Sequence, residues 1–254
     1  MPHPPHHADN PVRRPPLTLL GTEPWRAAWE YVSHKRSPRA AGSGADGHPV
    51  VLFPGLASDG KALRPLRKHC IALGYDAFDW GRGFNAGPQG DTDTWLAELA
   101  GHTSQLLASR KQSATLIGWS LGGLYAREVA KLLGPGVRQV ITIGTPFNAD
   151  ADHTNVGWVF RLLSDTPHVF DSKLVERLRK TPSVPTTSIY SRSDGIVAWQ
   201  TCTHRDAGRH AEDIEVTSSH LGMGWNPAVL QVVADRLAQR PGRWRAYRTT
   251  PSQT

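Results

Sequence analysis

The sequence predicts an α/β fold, with a mainly parallel sheet of about six strands flanked by helices and a short cap insertion. Two observations support this prediction. Short apolar runs alternate along the chain with segments of helical spacing, a pattern typical of β-α-β units. The apolar runs contain few polar residues, as expected for strands that helices cover on both faces.

Six apolar runs are the predicted strands. They are residues 49–55, 75–81, 114–119, 137–147, 185–191 and 213–218. Segments with helical periodicity occupy residues 62–74, 91–110, 121–134 and 226–240. Gly74 and Gly134 are typical of helix ends, and Pro227 suits the first turn of a helix. Right-handed crossovers between parallel strands then fix the winding of the sheet.

Two segments depart from this alternation. Residues 17–37 are predicted to be helical from Pro24 onward, because apolar residues there recur at helical spacing. These residues are Trp25, Trp29 and Val32. Residues 148–183 are too long for an ordinary connection and contain an apolar cluster and an amphipathic piece. We interpret this insertion as a cap or lid, with an additional core helix as the alternative.

The composition indicates one globular domain with polar ends. The chain has 254 residues, of which 39% are hydrophobic, and this is enough for one large core. We assign residues 1–16 to a disordered Pro/His-rich tail, residues 17–240 to the domain and residues 241–254 to a basic tail. The N-terminus has no apolar signal segment and no stretch is apolar enough to span a membrane, so we expect a cytoplasmic protein.

The formal net charge of +7 is concentrated at the two ends of the chain. Residues 1–40 carry a net charge of +3 and residues 236–254 one of +5, which leaves residues 41–235 near −1. This distribution argues against nucleic acid as a partner of the domain. The basic ends could make weak contact with a membrane surface or an acidic partner, or simply keep the protein soluble.

The two cysteines indicate neither a metal site nor a redox motif. Cys70 has the position of a buried helix residue, whereas Cys202 lies in a loop-like segment. A single disulfide between them stays open at this point. We expect no metal site.

Residues 114–125, ATLIGWSLGGLY, lead an apolar strand directly into a helix through a single serine. Gly118, Ser120 and Gly122 match the G-x-S-x-G pattern of a nucleophile in a sharp strand-to-helix turn. Such a turn would lift the Ser120 hydroxyl clear of the carboxyl edge of the sheet. The backbone N–H of Leu121 would then lie at a helix N-terminus, where a developing anion is favoured.

A serine nucleophile needs a base, and the base needs an orienting carboxylate. Asp194 follows the predicted strand 185–191, and His220 follows the predicted strand 213–218. Taken singly, Asp194 would be an Asx-turn residue and His220 an ordinary loop histidine. The order of Ser120, acid and histidine, each after a strand, favours a catalytic triad.

The second oxyanion donor and the substrate contacts are predicted from neighbouring segments. The N–H of Leu56, in the Phe-Pro-Gly-Leu loop after the first strand, would pair with that of Leu121. Trp119, beside the serine, either contacts an apolar acyl group or packs beneath the turn. The insertion supplies the other apolar substrate-binding candidates, Trp158, Phe160 and Leu163. Four weaker candidates for the acid and the base do not directly follow a core strand: Asp165, Asp171, His204 and His210. Two histidines of the insertion, His153 and His168, could face the substrate.

Four of these segments together resemble the α/β-hydrolase superfamily, and more narrowly its bacterial esterase/lipase-like branch. They are the Phe-Pro-Gly-Leu loop, the Gly-Trp-Ser-Leu-Gly-Gly turn, SRSDGIV and SSHLGMGWNP, within about residues 48–240. The chain departs from secreted lipases of this kind because it shows no signal peptide. It departs from the full superfamily sheet because no clear hairpin precedes residue 49.

The resemblance implies a cofactor-free serine hydrolase that acts on a small-molecule or lipid ester. By motif position it assigns the nucleophile to Ser120, the acid to Asp194, the base to His220 and the oxyanion donors to Leu56 and Leu121. An acyltransferase with the same acyl-serine chemistry is one alternative. A non-catalytic binding module on the same scaffold is the other.

Overall fold

A six-stranded parallel sheet lies at the centre of this computed structural model, which describes residues 12–37, 45–148, 172–205, 208 and 210–248. The strands are β1 (Pro49–Phe53), β2 (Asp76–Asp79), β3 (Ala114–Trp119), β4 (Val137–Ile143), β5 (Thr186–Tyr190) and β6 (Ala211–Glu215). Their spatial order is β2-β1-β3-β4-β5-β6, and every neighbouring pair is parallel. The predicted fold class is therefore confirmed.

Helices connect the strands and cover both faces of the sheet. They are α1 (Leu17–Arg36), α2 (Arg64–Ala72), α3 (Thr92–Leu107), α4 (Leu121–Leu133), α5 (Ser172–Arg179) and α6 (Pro227–Leu237). Side chains cap two of them, because Asp91 accepts a hydrogen bond from the N–H of Thr94 and Asn226 accepts one from the N–H of Ala228. A short 3-10 turn, Leu221–Gly224, precedes α6.

Successive residues of each strand point to opposite faces, so the sheet has a core on each side. In β1, Val51 and Phe53 join α3, α4 and α5 in one core, while Val50 and Leu52 join α2 and α6 in the other. Because all six strands are parallel, the loops that follow β1, β3, β4, β5 and β6 meet at one edge of the sheet. This edge carries three of the predicted site residues, Ser120, Asp194 and His220.

Two strands, β4 and β6, differ most from the sequence prediction. β4 ends at Ile143 instead of residue 147, because Gly144 turns the chain with a φ of 56°. β6 begins at Ala211 and ends at Glu215, two to three residues earlier than predicted. This edge strand has polar residues among its apolar ones, so its pairing with β5 from Ala211 onward gives little apolar signal in the sequence.

Helix α1 begins at Leu17, seven residues before the predicted start at Pro24, which lies inside the helix. An internal proline removes one helical hydrogen bond and disfavours the preceding turn. Tertiary contacts offset this cost here, because the first turns of α1 lie against the loop at Gly195. The face that carries Trp25 and Trp29 points outward, with those side chains 80% and 67% exposed.

The amphipathic piece of the insertion forms α5, whose apolar side chains are buried in the core on the α3 and α4 side. This part of the insertion therefore matches the alternative of an additional core helix. The remainder of the insertion, residues 149–171, lies outside the described residues, as do residues 1–11 and 249–254. The lid interpretation stays a prediction.

Cys70 and Cys202 are both buried and unbridged, so the disulfide that the sequence left open is not formed. Burial raises the pKa of the Cys70 thiol to about 12. Within the described ranges, no helix is both long and apolar enough to cross a membrane.

Candidate active site

The turn between β3 and α4 holds Ser120 in an unusual backbone conformation. Its φ of 53° and ψ of −125° are rare for a residue other than glycine and cost about 1–3 kcal/mol. The N–H of Ser120 donates a 2.8 Å hydrogen bond to the carbonyl of Ile143 at the end of β4. The strained serine is thus anchored to the neighbouring strand.

The glycines that flank Ser120 allow the close packing of this turn. A Cβ atom on Gly122 would collide with the carbonyl oxygen of Phe53, and one on Gly118 would collide with that of Gly122. The first turn of α4 therefore lies directly on the end of β1. This packing brings the loop after β1 beside the serine, as the sequence pattern predicts.

Asp194 and His220 form a buried hydrogen-bonded pair in the loops after β5 and β6. The Nδ1 atom of His220 lies 2.6 Å from Oδ2 of Asp194. The other carboxylate oxygen accepts hydrogen bonds from the N–H groups of Ile196, at 2.8 Å, and Val197, at 2.7 Å. Asp194 is therefore both the turn residue and the histidine partner that the sequence offered as alternatives.

Ser120 and His220 both adjoin the residues that follow β4. The hydroxyl of Thr145 donates to the carbonyl of Ser120 at 3.0 Å. A Cβ atom on Gly144 would lie 3.1 Å from Nδ1 of His220. No hydrogen bond joins the Ser120 hydroxyl to His220 among the described residues, and such catalytic contacts often tighten only when substrate binds.

Opposing effects act on the pKa of His220. Burial lowers it, but the carboxylate of Asp194 raises it through its charge and its hydrogen bond, and the charge of Glu23 adds to this. The net effect places the pKa of His220 above its ordinary value of 6.5. His220 is therefore a stronger base than a free histidine.

Trp119 contacts the histidine loop. Its indole N–H donates a 3.2 Å hydrogen bond to the carbonyl of His220, and the two ring centroids are 5.7 Å apart. These contacts show that Trp119 packs against the histidine loop. Its contact with substrate stays a prediction. The other predicted substrate residues, Trp158, Phe160 and Leu163, lie outside the described residues.

The Phe-Pro-Gly-Leu loop lies directly beside the serine. A Cβ atom on Gly55 would be 3.3 Å from the Cβ atom of Ser120. The side-chain amide of Asn85, which the sequence analysis did not single out, holds this loop through a 2.8 Å hydrogen bond to the carbonyl of Pro54. Leu56 follows in this loop, and Leu121 is the first residue of α4, so the main chain of both is close to Ser120.

Two residues of α1 that the sequence analysis missed also reach the site. The carboxylates of Glu23 and Glu30 accept hydrogen bonds from the N–H groups of His220 and Ser219, respectively. The spacing of seven residues between the two glutamates is the only sequence signal, since it places them on one helix face away from the tryptophans. Which loop that face contacts depends on the tertiary fold.

A second histidine–aspartate pair lies in the core beside β6. His204 Nδ1 is 2.7 Å from Asp213 Oδ1, and Nε2 of the same ring is 3.0 Å from a guanidinium nitrogen of Arg127.

Of the other competing candidates, Asp165, Asp171, His153 and His168 lie outside the described residues. Within the described part of the chain, no cluster of three or more histidine, cysteine or acidic side chains is placed to hold a metal ion.

Several solved structures similar to this chain are lipases of low sequence identity. Aspergillus fumigatus lipase B aligns with a TM-score of 0.58 and 19% identity over 82% of this chain, but the match covers only 57% of the fungal chain. Paleococcus ferrophilus monoacylglycerol lipase aligns with a TM-score of 0.56 and 14% identity over 78% of this chain and 96% of its own. Mature Bacillus licheniformis lipase BlEst2 aligns with a TM-score of 0.56 and 16% identity over 79% of this chain and 96% of its own.

These identities establish a shared fold and nothing finer. No match was found among curated protein sequences. A sequence profile described as the alpha/beta hydrolase family matches residues 50–254, which is most of the chain and includes the serine turn and both partner loops. The chain therefore belongs to the alpha/beta hydrolase family.

Proposed function

We propose that this protein is a serine carboxylic-ester hydrolase that works through an acyl-enzyme. Ser120 is the nucleophile, His220 the general base and acid, and Asp194 the carboxylate that orients the imidazole. The backbone N–H groups of Leu56 and Leu121 form the oxyanion hole. Family membership and the fold shared with lipases support hydrolase chemistry of this kind.

The proposed first half-reaction transfers the acyl group to the serine. His220 Nε2 takes the hydroxyl proton of Ser120 as Oγ attacks the ester carbonyl carbon. The tetrahedral oxyanion accepts hydrogen bonds from the two main-chain N–H groups, which are strongest where negative charge develops. The imidazolium then protonates the leaving alkoxide, so that an alcohol departs and a serine ester remains.

In the proposed second half-reaction, water replaces the alcohol. His220 removes a proton from water, hydroxide attacks the acyl carbon, and the proton returns to Ser120 Oγ as the carboxylic acid leaves. Throughout, Asp194 Oδ2 accepts a hydrogen bond from Nδ1, which leaves Nε2 as the nitrogen that exchanges protons. The raised pKa of His220 favours proton uptake at this position.

One observation carries the proposal: the 2.6 Å His220–Asp194 hydrogen bond lies at the sheet edge where Ser120 is held with a φ of 53°. An isolated histidine–aspartate pair or a strained serine has many structural explanations. Their convergence next to Gly144 and Thr145 supports a single reaction centre.

The acyl group that we propose for the substrate is apolar, in a small-molecule or lipid ester.

We also propose that the outer face of α1 makes weak contact with an anionic lipid surface. Trp25, Trp29 and Val32 are exposed there, and Lys35 and Arg36 end the helix. Exposed tryptophans next to cations are typical of helices that lie on a bilayer surface. Sedimentation with phosphatidylglycerol vesicles should weaken in a Trp25→Ser, Trp29→Ser variant, and equal sedimentation of both proteins would contradict this contact.

The direct test of the proposed function is the variant Ser120→Ala, assayed with a short p-nitrophenyl ester. Turnover should fall by about 10⁴-fold or more, because the nucleophile is removed while the site stays intact. Thermal unfolding of both proteins controls for loss of structure. Wild-type rates in the folded variant would overturn the proposal.

A further inference from the structure

We propose that Glu23 of helix α1 is a positioning residue, whose carboxylate holds the Asp194 and His220 loops in register and supports His220 as a base. This inference rests on the proposed function for its catalytic meaning. Its structural meaning does not depend on the reaction. The helix that carries Glu23 precedes residue 50, where the match to the family profile begins.

The Glu23 side chain is 2% exposed, and its carboxylate accepts hydrogen bonds from two separate loops. Its Oε1 atom accepts from the N–H of Gly195, at 2.8 Å, and from that of His220, at 3.0 Å. Its Oε2 atom accepts from the N–H of Leu221, at 3.0 Å. One donor thus directly follows Asp194, and the other two belong to His220 and its neighbour. A single side chain therefore links the backbones of the two residues that form the 2.6 Å pair.

The backbone of α1 lies in direct contact with the loop of the acid. A Cβ atom on Gly195 would lie 2.6 Å from both the carbonyl carbon and the carbonyl oxygen of Leu19. Any other residue at position 195 would push the helix away and lengthen the hydrogen bonds to Glu23. The loop sequence Asp194-Gly195 therefore suits the helix as well as the histidine.

A second carboxylate two helical turns further on fixes the other side of the histidine loop. Glu30 Oε1 accepts from the N–H of Ser219 at 2.7 Å, and Glu30 Oε2 accepts from the hydroxyl of Ser218 at 2.9 Å. A Cβ atom on Gly222 would collide with Glu30 Oε2. His220 thus lies between two backbone segments that α1 holds, which limits the movement of its ring.

Burial of a carboxylate is unfavourable unless hydrogen bonds or charges compensate it. Glu23 has its three N–H donors, and the guanidinium of Arg26 lies 3.6 Å from Oε1. The charged groups that act on His220 are Asp194 from the loop after β5 and Glu23 from α1. Arg26 contacts Glu23, and Glu30 contacts the neighbouring Ser219. The negative charge of Glu23 stabilises the imidazolium that forms when His220 accepts the serine proton.

Three variants separate charge, geometry and general effects. Glu23→Gln keeps the shape but removes the charge and places an NH₂ group against a backbone N–H donor. Glu23→Asp keeps the charge but is too short to reach both loops. Glu98→Gln is the matched control, because it makes the same chemical change at an exposed position on α3.

We expect kcat for a p-nitrophenyl ester to fall by about 10–100-fold in Glu23→Gln, with KM within about twofold of wild type, because misplacement of the base affects the transition state. The acidic limb of kcat/KM should move to lower pH in Glu23→Gln and stay near the wild-type position in Glu23→Asp. Glu98→Gln should match wild type in both measurements. Rates are corrected for the folded fraction from circular dichroism.

NMR titration of the His220 imidazole gives a readout that is independent of ester turnover. The pKa of His220 should fall in Glu23→Gln, and the downfield proton between Nδ1 and Asp194 should broaden or disappear. An unchanged His220 pKa together with wild-type kcat in folded Glu23→Gln would overturn the role of Glu23. If Ser120→Ala instead retained turnover, the proposed function would fail, while the His220 titration would still decide the role of Glu23.

Discussion

The structure contains two buried histidine–aspartate pairs whose surroundings differ. In the first, His220 Nδ1 is hydrogen-bonded to Asp194, and none of the described residues forms a hydrogen bond with its Nε2 atom. In the second, His204 bonds to Asp213 through Nδ1, while Nε2 accepts from the guanidinium of Arg127. In both pairs a buried histidine is hydrogen-bonded to a carboxylate. The pairs differ in the hydrogen-bond partner of the second ring nitrogen.

This difference decides which histidine can act as a base. The lone pair of His204 Nε2 already accepts a hydrogen bond from the guanidinium of Arg127, so it is not available to a serine hydroxyl. Burial lowers the pKa of His204 more than Asp213 raises it, and the charge of Arg127 lowers it further. Around His220 the carboxylates of Asp194 and Glu23 prevail over burial and raise its pKa. A hydrogen-bonded carboxylate is therefore not sufficient to mark a catalytic histidine.

The largest expected effect comes from removing each histidine in turn. His220→Ala should lower kcat by about 10⁴-fold, because the serine loses its base. His204→Ala should keep kcat per folded molecule near wild type but lose about 3 kcal/mol of unfolding free energy, since Arg127 and Asp213 are left buried without their partner. Ester kinetics and urea unfolding of both variants check this contrast. Similar activity losses in the two folded variants would remove the distinction between the pairs.

A matched pair of aspartate variants sharpens the comparison. Asp194→Asn should lower kcat by up to about 10⁴-fold, because an amide in place of the carboxylate favours the wrong imidazole tautomer. Asp213→Asn should act mainly on stability, by about 1–3 kcal/mol, with kcat preserved. The same kinetic and unfolding measurements apply. Full activity in Asp194→Asn would show that His220 does not depend on this carboxylate.

Much of this contrast can be predicted from the sequence, because the apolar runs indicate where each strand ends. The apolar runs that become β3 and β5 place Ser120 and Asp194 at the carboxyl edge, and His220 follows the last strand. His204 was set aside because it does not directly follow a core strand, and the structure places it in the core against Asp213 and Arg127.

The contribution of α1 could not be read from the sequence in the same way. Trp25 and Trp29 give the helical period, but the structure exposes them and buries Glu23 instead. Sequence periodicity treats a buried glutamate as a surface residue, and only the backbone N–H groups of distant loops explain its burial. The early start of the helix at Leu17 was missed for a related reason, since contacts with the loop at Gly195 offset the cost of Pro24.

A smaller effect is expected in the pH dependence of activity. The proposed mechanism requires a neutral His220 as the base, and the pKa of His220 is raised above 6.5. The value of kcat/KM should therefore rise with pH along a limb whose midpoint lies above 6.5. A pH profile of wild-type enzyme with a neutral ester measures this midpoint. A limb with its midpoint below 6.5 would mean that burial prevails over the carboxylates at His220.

The smallest effect concerns stability in mild acid. The pKa of His204 is lower in the folded than in the unfolded chain, so its contribution to stability is present above about pH 6.5 and is lost as the pH falls below that value. The free energy of unfolding of His204→Gln should therefore depend less steeply on pH below 6.5 than that of wild type. His48 and His69, whose pKa values burial also lowers, contribute to the remaining dependence in the same direction, whereas His220, whose pKa is raised, contributes in the opposite direction. Equal slopes in the two proteins would contradict the assignment to His204.

The most direct test of the central claim is peptide mapping after reaction with a fluorophosphonate, in wild type, His220→Ala and His204→Ala. We predict one adduct, on Ser120, formed at similar rates in wild type and folded His204→Ala and at least about 10³-fold more slowly in His220→Ala. An adduct on another residue, or equally fast labelling of Ser120 without His220, would contradict the account.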